Sequence, residues 1–227
     1  MEVRYIENSG LLSEQDMIQI QNLNLLLVGV GGIGGNLANQ LIRLGVTSLT
    51  IVDFDVFDES NLNRQLFSNE TSIGKFKVDI VKQELLKINS KTDIKIYRSK
   101  IEDLLEHDFD QYDIIIDAVD SIQTKIYLSK LCKEYNKPLL HGSCAGWYGQ
   151  VGILESSTNL LQDFYQDAQK GLEETLKNPP FAPAIVSSIM ISELVKYITD
   201  SSNYNVNELI FIDLKNNSIT TSKQGGR

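Results

Sequence analysis

The chain has 227 residues, 42% hydrophobic and 22% charged, the composition of an ordinary globular protein with material for one substantial core. Its net charge of −9 argues against general binding to nucleic acid or to an anionic membrane, and no apolar run approaches the roughly 20 residues that a membrane span needs. Cys132 and Cys144 form no C-x-x-C pair, which excludes a paired-cysteine zinc site. The start Met-Glu-Val-Arg-Tyr lacks the basic and apolar regions of a signal peptide, so the expected location is cytoplasmic.

Residues 1–12 show no clear period. Ser13 reads as an N-cap, with Asp16 completing an imperfect capping box, for a helix ending at Asn22. Leu23 to Val28 is short and apolar, as a fully buried strand is, and glycines at 29, 31, 32 and 34 begin where it stops. This is the opening of a nucleotide-binding βαβ unit. Gly31, Gly32 and Gly34 are its candidate residues, because a tight turn and a phosphate close to the backbone leave no room for a Cβ. A helix over Asn36 to Leu44, stopped by Gly45, and a second buried strand over Leu49 to Val52 follow. That strand ends at Asp53, about 20 residues past the glycines, where a carboxylate reaches a ribose hydroxyl.

Four acids lie between Asp53 and Glu59, with Asp55 and Asp58 expected as exposed loop acids or caps. The polar cluster Ser60, Asn61, Asn63, Arg64 and Gln65 then belongs over the carboxyl edge of the sheet. Val78, Val81, Leu85 and Ile88 predict a helix over Ser72 to Asn89, placing Lys77 in its first turn against the helix dipole, where a ligand phosphate would account for it. Further strands are expected at Ile94–Tyr97, Asp113–Val119 and Pro138–His141, with helices at Ile101–Leu105 and 122–135. The alternation from 23 to 142 is that of a mostly parallel, doubly wound α/β sheet.

After His141 the pattern changes. Gln150–Leu154 reads as an antiparallel strand, 155–180 is polar and weakly periodic, and Ala184–Thr199 is an apolar helix with Ile185, Ile189, Val195 and Ile198 among its expected core positions. A hairpin of Glu208–Asp213 and Ser218–Thr221 precedes a tail, Ser222-Lys-Gln-Gly-Gly-Arg, expected to fray. Cys144 and His141 are read as packed residues rather than ligands.

The blocks Gly29-Val-Gly-Gly-Ile-Gly, Asp53-Phe-Asp, Ser60-Asn-Leu-Asn-Arg-Gln, Ile73-Gly-Lys-Phe-Lys and Ile116-Asp-Ala-Val-Asp stand in the order and approximate spacing of an adenylation fold. The chain resembles the bacterial relatives of the ubiquitin-activating E1 enzymes, the ThiF, MoeB and HesA group, over residues 4 to 213. The resemblance implies one Rossmann-like adenylation domain over 1–227: an N-terminal arm and helix (1–22), a nucleotide-binding core (23–142) and a C-terminal part (143–227) of antiparallel strands with a crossover loop at 155–182.

It also implies ATP- and Mg²⁺-dependent adenylation of a carboxylate, typically the C-terminal Gly-Gly of a small ubiquitin-like sulfur carrier protein, by a homodimer. In that reading Gly32 faces the nucleotide and Asp53 the ribose. Ser60, Asn61, Asn63 and Arg64 lie along the phosphates, Lys77 is a point charge on phosphate, and Asp120 holds Mg²⁺ beside Ser121, which stands where the group more often has Asn. Arg64, Lys77 and Asp120 are the expected catalytic residues.

Two departures accompany the resemblance. Glu7 replaces an arginine that reaches the partner subunit's site in related chains, and residues 155–182 contain no cysteine for a thioester or persulfide. Alternatives are adenylation of a peptide or small-molecule carboxylate, or a degenerate nucleotide-binding module. An NAD-dependent dehydrogenase shares the glycine loop but has no use for cations aimed at a triphosphate.

Overall fold

The computed structural model describes residues 2–104, 108–165, 173–200 and 202–222. One eight-stranded sheet organises them, in the order β3-β2-β1-β4-β5-β6-β7-β8. Strands β1 (Asn24–Val28), β2 (Ser48–Val52), β3 (Asp93–Tyr97), β4 (Ile114–Asp117) and β5 (Leu139–Ala145) run parallel. Strands β6 (Tyr148–Leu154), β7 (Leu209–Asp213) and β8 (Ser218–Ser222) add an antiparallel flank.

β1 is hydrogen-bonded on both edges, by β2 and β4, so its side chains alternate between two dry layers. Leu25 and Leu27 join the layer that includes Leu37, Leu41 and Ile42 of helix α2 (Gly32–Leu44), whereas Leu26 and Val28 join the layer that includes Leu128 and Leu131 of helix α4 (Ile122–Glu134). A continuous apolar strand is the pattern that two-sided burial requires. Because the chain runs β1, β2, β3 outward on one side and resumes at β4 on the other, the carboxyl ends of β1 and β4 form the topological switch point where open α/β sheets bind ligands.

The sequence expectations hold for most elements. Helix α1 (Glu14–Asn22) starts with the capping box of Ser13 and Asp16, and Gly45 closes α2 with φ of 122°. Helix α2 begins at Gly32, ahead of the expected Asn36, because the glycine loop itself winds into the first turn. Helix α3 (Lys77–Ile88) begins later than Ser72: residues 72–76 fold back on the preceding loop through bridges Val56 to Phe76 and Phe57 to Ile73, which take the backbone out of helical register. Residues Val3–Asn8, without visible period, form a 3-10 helix anchored by buried Tyr5. The element expected at Ile101–Leu105 is a 3-10 turn over Ile101–Asp103, and Leu105 lies outside the described residues.

The segment after β6 is partly helical, with α5 (Leu160–Tyr165) and α6 (Glu173–Leu176). Helix α7 (Phe181–Thr199) buries Ala182, Val186, Met190 and Leu194, so its inward stripe is displaced from the expected one and Ile185 is 38% exposed. By length and composition α7 could cross a membrane, contrary to the expectation that no run is long enough; it packs instead against α1, α2, β5 and β6 as a core helix. The Gly225-Gly226 tail lies outside the described residues.

Candidate functional site

At the switch point the backbone leaves β1 through Gly29, whose φ of 87° and whose missing Cβ, which would sit 2.8 Å from the Ala118 carbonyl oxygen, admit glycine alone. Gly34 serves packing rather than a ligand: a Cβ there would lie 1.9 Å from the Gly29 oxygen, so α2 can approach the loop only without a side chain. Asp53 fastens the loop from the end of β2, its Oδ2 accepting from Val30 N–H at 2.8 Å and its Oδ1 from Asp55 N–H at 2.8 Å. Burial pushes its carboxyl above the ordinary value, while the Val30 N–H and Lys77 work in the opposite direction.

These turns floor a cleft of about 560 Å³. Its lining includes the sequence candidates Gly31, Gly32, Asp53, Arg64, Gln65, Lys77, Asp120 and Ser121, which are dispersed over ninety positions of chain and meet in one place. Gly34, Ser60, Asn61 and Asn63 do not line it. Asn61 is buried and works locally, accepting from Asp58 N–H in a capping box around the 3-10 turn Glu59–Asn61. Ser60 and Asn63 face solvent and brace Arg64, whose Nη1 donates to the Ser60 carbonyl at 2.8 Å and to Asn63 Oδ1 at 2.9 Å. Of these three, Ser60 and Asn63 shape the arginine that lines the cleft, and Asn61 holds the turn before it.

Three features give the cleft its chemistry. Arg64 is held by neutral acceptors and has no carboxylate partner among the described ion pairs, so its charge is left for an anion. Gln65 lines the same cleft at 7% exposure, and its buried Oε1 has no hydrogen-bond partner among the described residues. Lys77 is 7% exposed at its side chain and meets Asp55 Oδ2 at 2.8 Å. Asp55 therefore is no idle loop acid: it is 47% exposed and keeps the buried ammonium paired within reach of water.

Across the cleft, Asp120 is exposed in the turn between β4 and α4, and Ser121 caps α4 by accepting from Thr124 N–H at 3.3 Å. The wall near β3 was not anticipated from the sequence. Ser99, Lys100 and Glu102 line it, Glu102 accepting from Thr124 Oγ1 at 2.7 Å and the Lys100 ammonium standing 5.5 Å from the Phe54 ring centre. The signal was positional: they follow the carboxyl end of a third parallel strand, as the glycines and Asp53 follow theirs.

The opposite end is closed by Ser143, Cys144, Asn178 and Pro183. With its amide nitrogen turned toward the Cys144 and Lys177 carbonyls, each 3.1 Å away, Asn178 pins the segment before α7 to β5, since its oxygen in that place would face only acceptors. Asn63 Nδ2 adds a bond to the Asn178 carbonyl at 3.3 Å. Cys144 is buried as expected yet borders the cleft, whereas Cys132 sits on the buried side of α4, where burial raises its thiol pKa. His141 is fully buried, packed rather than cleft-facing.

Comparison with known proteins agrees with this geometry. A probable molybdopterin-synthase adenylyltransferase of Porphyra purpurea is 29% identical over 211 residues, 90% of this chain and 54% of its own. The SUMO-activating enzyme subunit 2 of Dictyostelium discoideum is 31% identical over 156 residues, 68% of this chain and 24% of its own. The chain thus spans about half of the first relative and a quarter of the second. Among solved structures, E. coli MccB with ATP superposes with a TM-score of 0.82 at 20% identity, covering 99% of this chain and 72% of that one, which establishes the same E1-like fold. The model of the ThiF family matches residues 5–226, and the protein belongs to that family.

Proposed function

We propose that this chain activates a carboxylate by adenylation: a carboxylate oxygen bonds to the α-phosphorus of ATP, the bond to the bridging oxygen breaks, and pyrophosphate leaves. The observation that carries the reading is the convergence of Arg64 and Lys77 on one glycine-floored cleft. A dehydrogenase would leave such cations without purpose. Support comes from the relative named as an adenylyltransferase and from the matching MccB structure, which was determined with ATP.

Arg64 offers a planar fork already oriented by Ser60 and Asn63, so little of its freedom is lost when phosphate oxygens arrive. Lys77 exchanges the Asp55 carboxylate for phosphate, and charge growing in the transition state finds both cations fixed in advance. The residues present fit a magnesium ion that arrives with the nucleotide. Asp120 is an exposed carboxylate on the cleft, and no group of three or more His, Cys, Asp or Glu side chains among the described residues could hold an ion unaided. When bound, magnesium neutralises phosphate charge there.

The substrate that fits this reading is the C-terminus of a small ubiquitin-like sulfur carrier, supported by relatives named for molybdopterin synthase and SUMO. A second class, a shorter polypeptide, is favoured by the MccB structures determined together with MccA. Isotope exchange between pyrophosphate and ATP, measured with each class in turn, tests both. Carrier-dependent exchange is expected; exchange with neither, despite ATP binding, would reduce the chain to a nucleotide-binding module.

A further inference from the structure

Beneath the cleft lies a polar cluster that none of the chemistry above uses. Asp117 at the end of β4 is 0% exposed, Lys125 in the first turns of α4 is 1% exposed, and His141 on β5 is 0% exposed. Lys125 Nζ donates to Asp117 Oδ1 and Oδ2 at 3.2 and 3.3 Å and to the Gly142 carbonyl at 3.2 Å. His141 Nδ1 meets Asp117 Oδ2 at 2.7 Å. The same carboxylate also accepts from Val119 N–H at 3.2 Å, the amide immediately before Asp120.

Such a cluster is a poor way to gain stability. Withdrawing an ammonium and a carboxylate from water costs about as much as their attraction returns, and apolar side chains of similar volume fill such sites equally well or better. What apolar side chains cannot supply is direction. One carboxylate here grips β4, the turn after it, the start of α4 and β5, beside Val28 in the adjoining strand, so the turn that displays Asp120 is tied from below to three elements.

We propose that Asp117, Lys125 and His141 are positioning residues for Asp120, fixing its turn in the one arrangement in which the carboxylate takes the magnesium of the bound nucleotide. This rests on the adenylation reading of the cleft. The cluster does not line the cleft; it acts through the Val119 amide and the first turn of α4. Residues that orient a metal-binding side chain from behind commonly govern metal affinity by about 10-fold or more.

The test replaces both charges at once, Asp117→Leu with Lys125→Met in the full chain, so that no lone charge stays buried. Calorimetry measures ATP binding with and without Mg²⁺, alongside a thermal melt and the exchange assay. The expected result is a folded protein with unchanged Mg²⁺-free ATP affinity, in which the gain of affinity on adding Mg²⁺ falls by about tenfold. Pyrophosphate exchange falls with it, in kcat more than in KM for ATP. An unchanged Mg²⁺ gain overturns the proposal, and so does an equal loss with and without Mg²⁺, which marks a merely structural role. Should the double variant fail to fold, His141→Gln keeps the ion pair but alters the tether to β5, and a smaller loss of the Mg²⁺ gain is expected; no loss overturns the proposal. If the natural chain binds no ATP, the cleft reading itself fails, which the wild-type titration reveals before any variant is made.

Discussion

Two lysine–aspartate pairs flank the same cleft and behave as different devices. Lys77 and Asp55, 2.8 Å apart on the rim, leave the carboxylate 47% exposed, whereas Lys125 and Asp117, 3.2 Å apart below it, are 1% and 0% exposed. Water beside the first pair weakens its attraction and lets an arriving phosphate replace the carboxylate. No water reaches the second, so neither partner can leave without stranding a buried charge. An ion pair's distance alone therefore does not tell a switch from a strut; the exposure of its acid does.

The largest expected effect comes from breaking the strut on one side. Lys125→Met leaves Asp117 with a buried, uncompensated charge and should cost about 3–5 kcal/mol of stability, read from urea denaturation. A loss no larger than that of a rim variant would erase the distinction between the pairs. Next in size is Arg64→Ala, which should lower pyrophosphate exchange by about tenfold or more, ~1.4 kcal/mol of transition-state stabilisation, while the urea midpoint holds. Arg64 has only local neutral partners to lose, so a shifted midpoint with intact exchange would move it from chemistry to structure.

Acid sharpens the same contrast. Burial pushes the Asp117 carboxyl up, but Lys125 and His141 outweigh it and leave the group below its ordinary value of 3.8. Burial lowers His141 below its ordinary 6.5 against the pull of Asp117. Both folded pKa values are depressed, so in both cases the unfolded chain binds more protons on acidification, and stability present at neutral pH declines as pH falls. The histidine contribution starts to go as pH drops through about 6.5, and that of Asp117 is lost below about 3.8, as pH passes through its lowered folded value. Urea midpoints of His141→Gln should be flatter across the upper window than those of the natural chain; a parallel fall would remove His141 from the linkage.

The sequence made the rim legible and left the strut hidden, for physical reasons. Gly31, Gly32, Asp53, Arg64, Lys77 and Asp120 each follow the carboxyl end of a parallel strand or sit in a motif, so strand periodicity alone brings them to one edge. Asn61 and Gly34 carry the same local marks but are consumed by capping and packing against near neighbours, Asp58 and Gly29, which the motif alone does not distinguish from a ligand. Lys125 sits among apolar residues of an ordinary amphipathic helix, and only the tertiary approach of β4 and β5 shows that it faces inward. The same limit displaced the stripe of α7. With apolar residues on nearly every side, periodicity could not choose among faces, and contacts with α2, β5 and β6 decided that Val186 and Met190 point in while Ile185 does not.

The smallest expected effect is the one most specific to the switch. Asp55→Asn removes the charge from a half-exposed partner but keeps a side-chain oxygen that accepts from the Lys77 ammonium, so stability should change less than in Lys125→Met. Nucleotide binding should nonetheless strengthen, because Lys77 no longer has to surrender a carboxylate and the negative charge beside the incoming phosphates is gone. The gain should shrink as salt is added, since the charge removed is open to counter-ions. Calorimetric titration of ATP at two ionic strengths checks both points. Weaker binding in this variant would mean that Asp55 aims the ammonium rather than competing with phosphate for it, and the rim pair would then be a second strut.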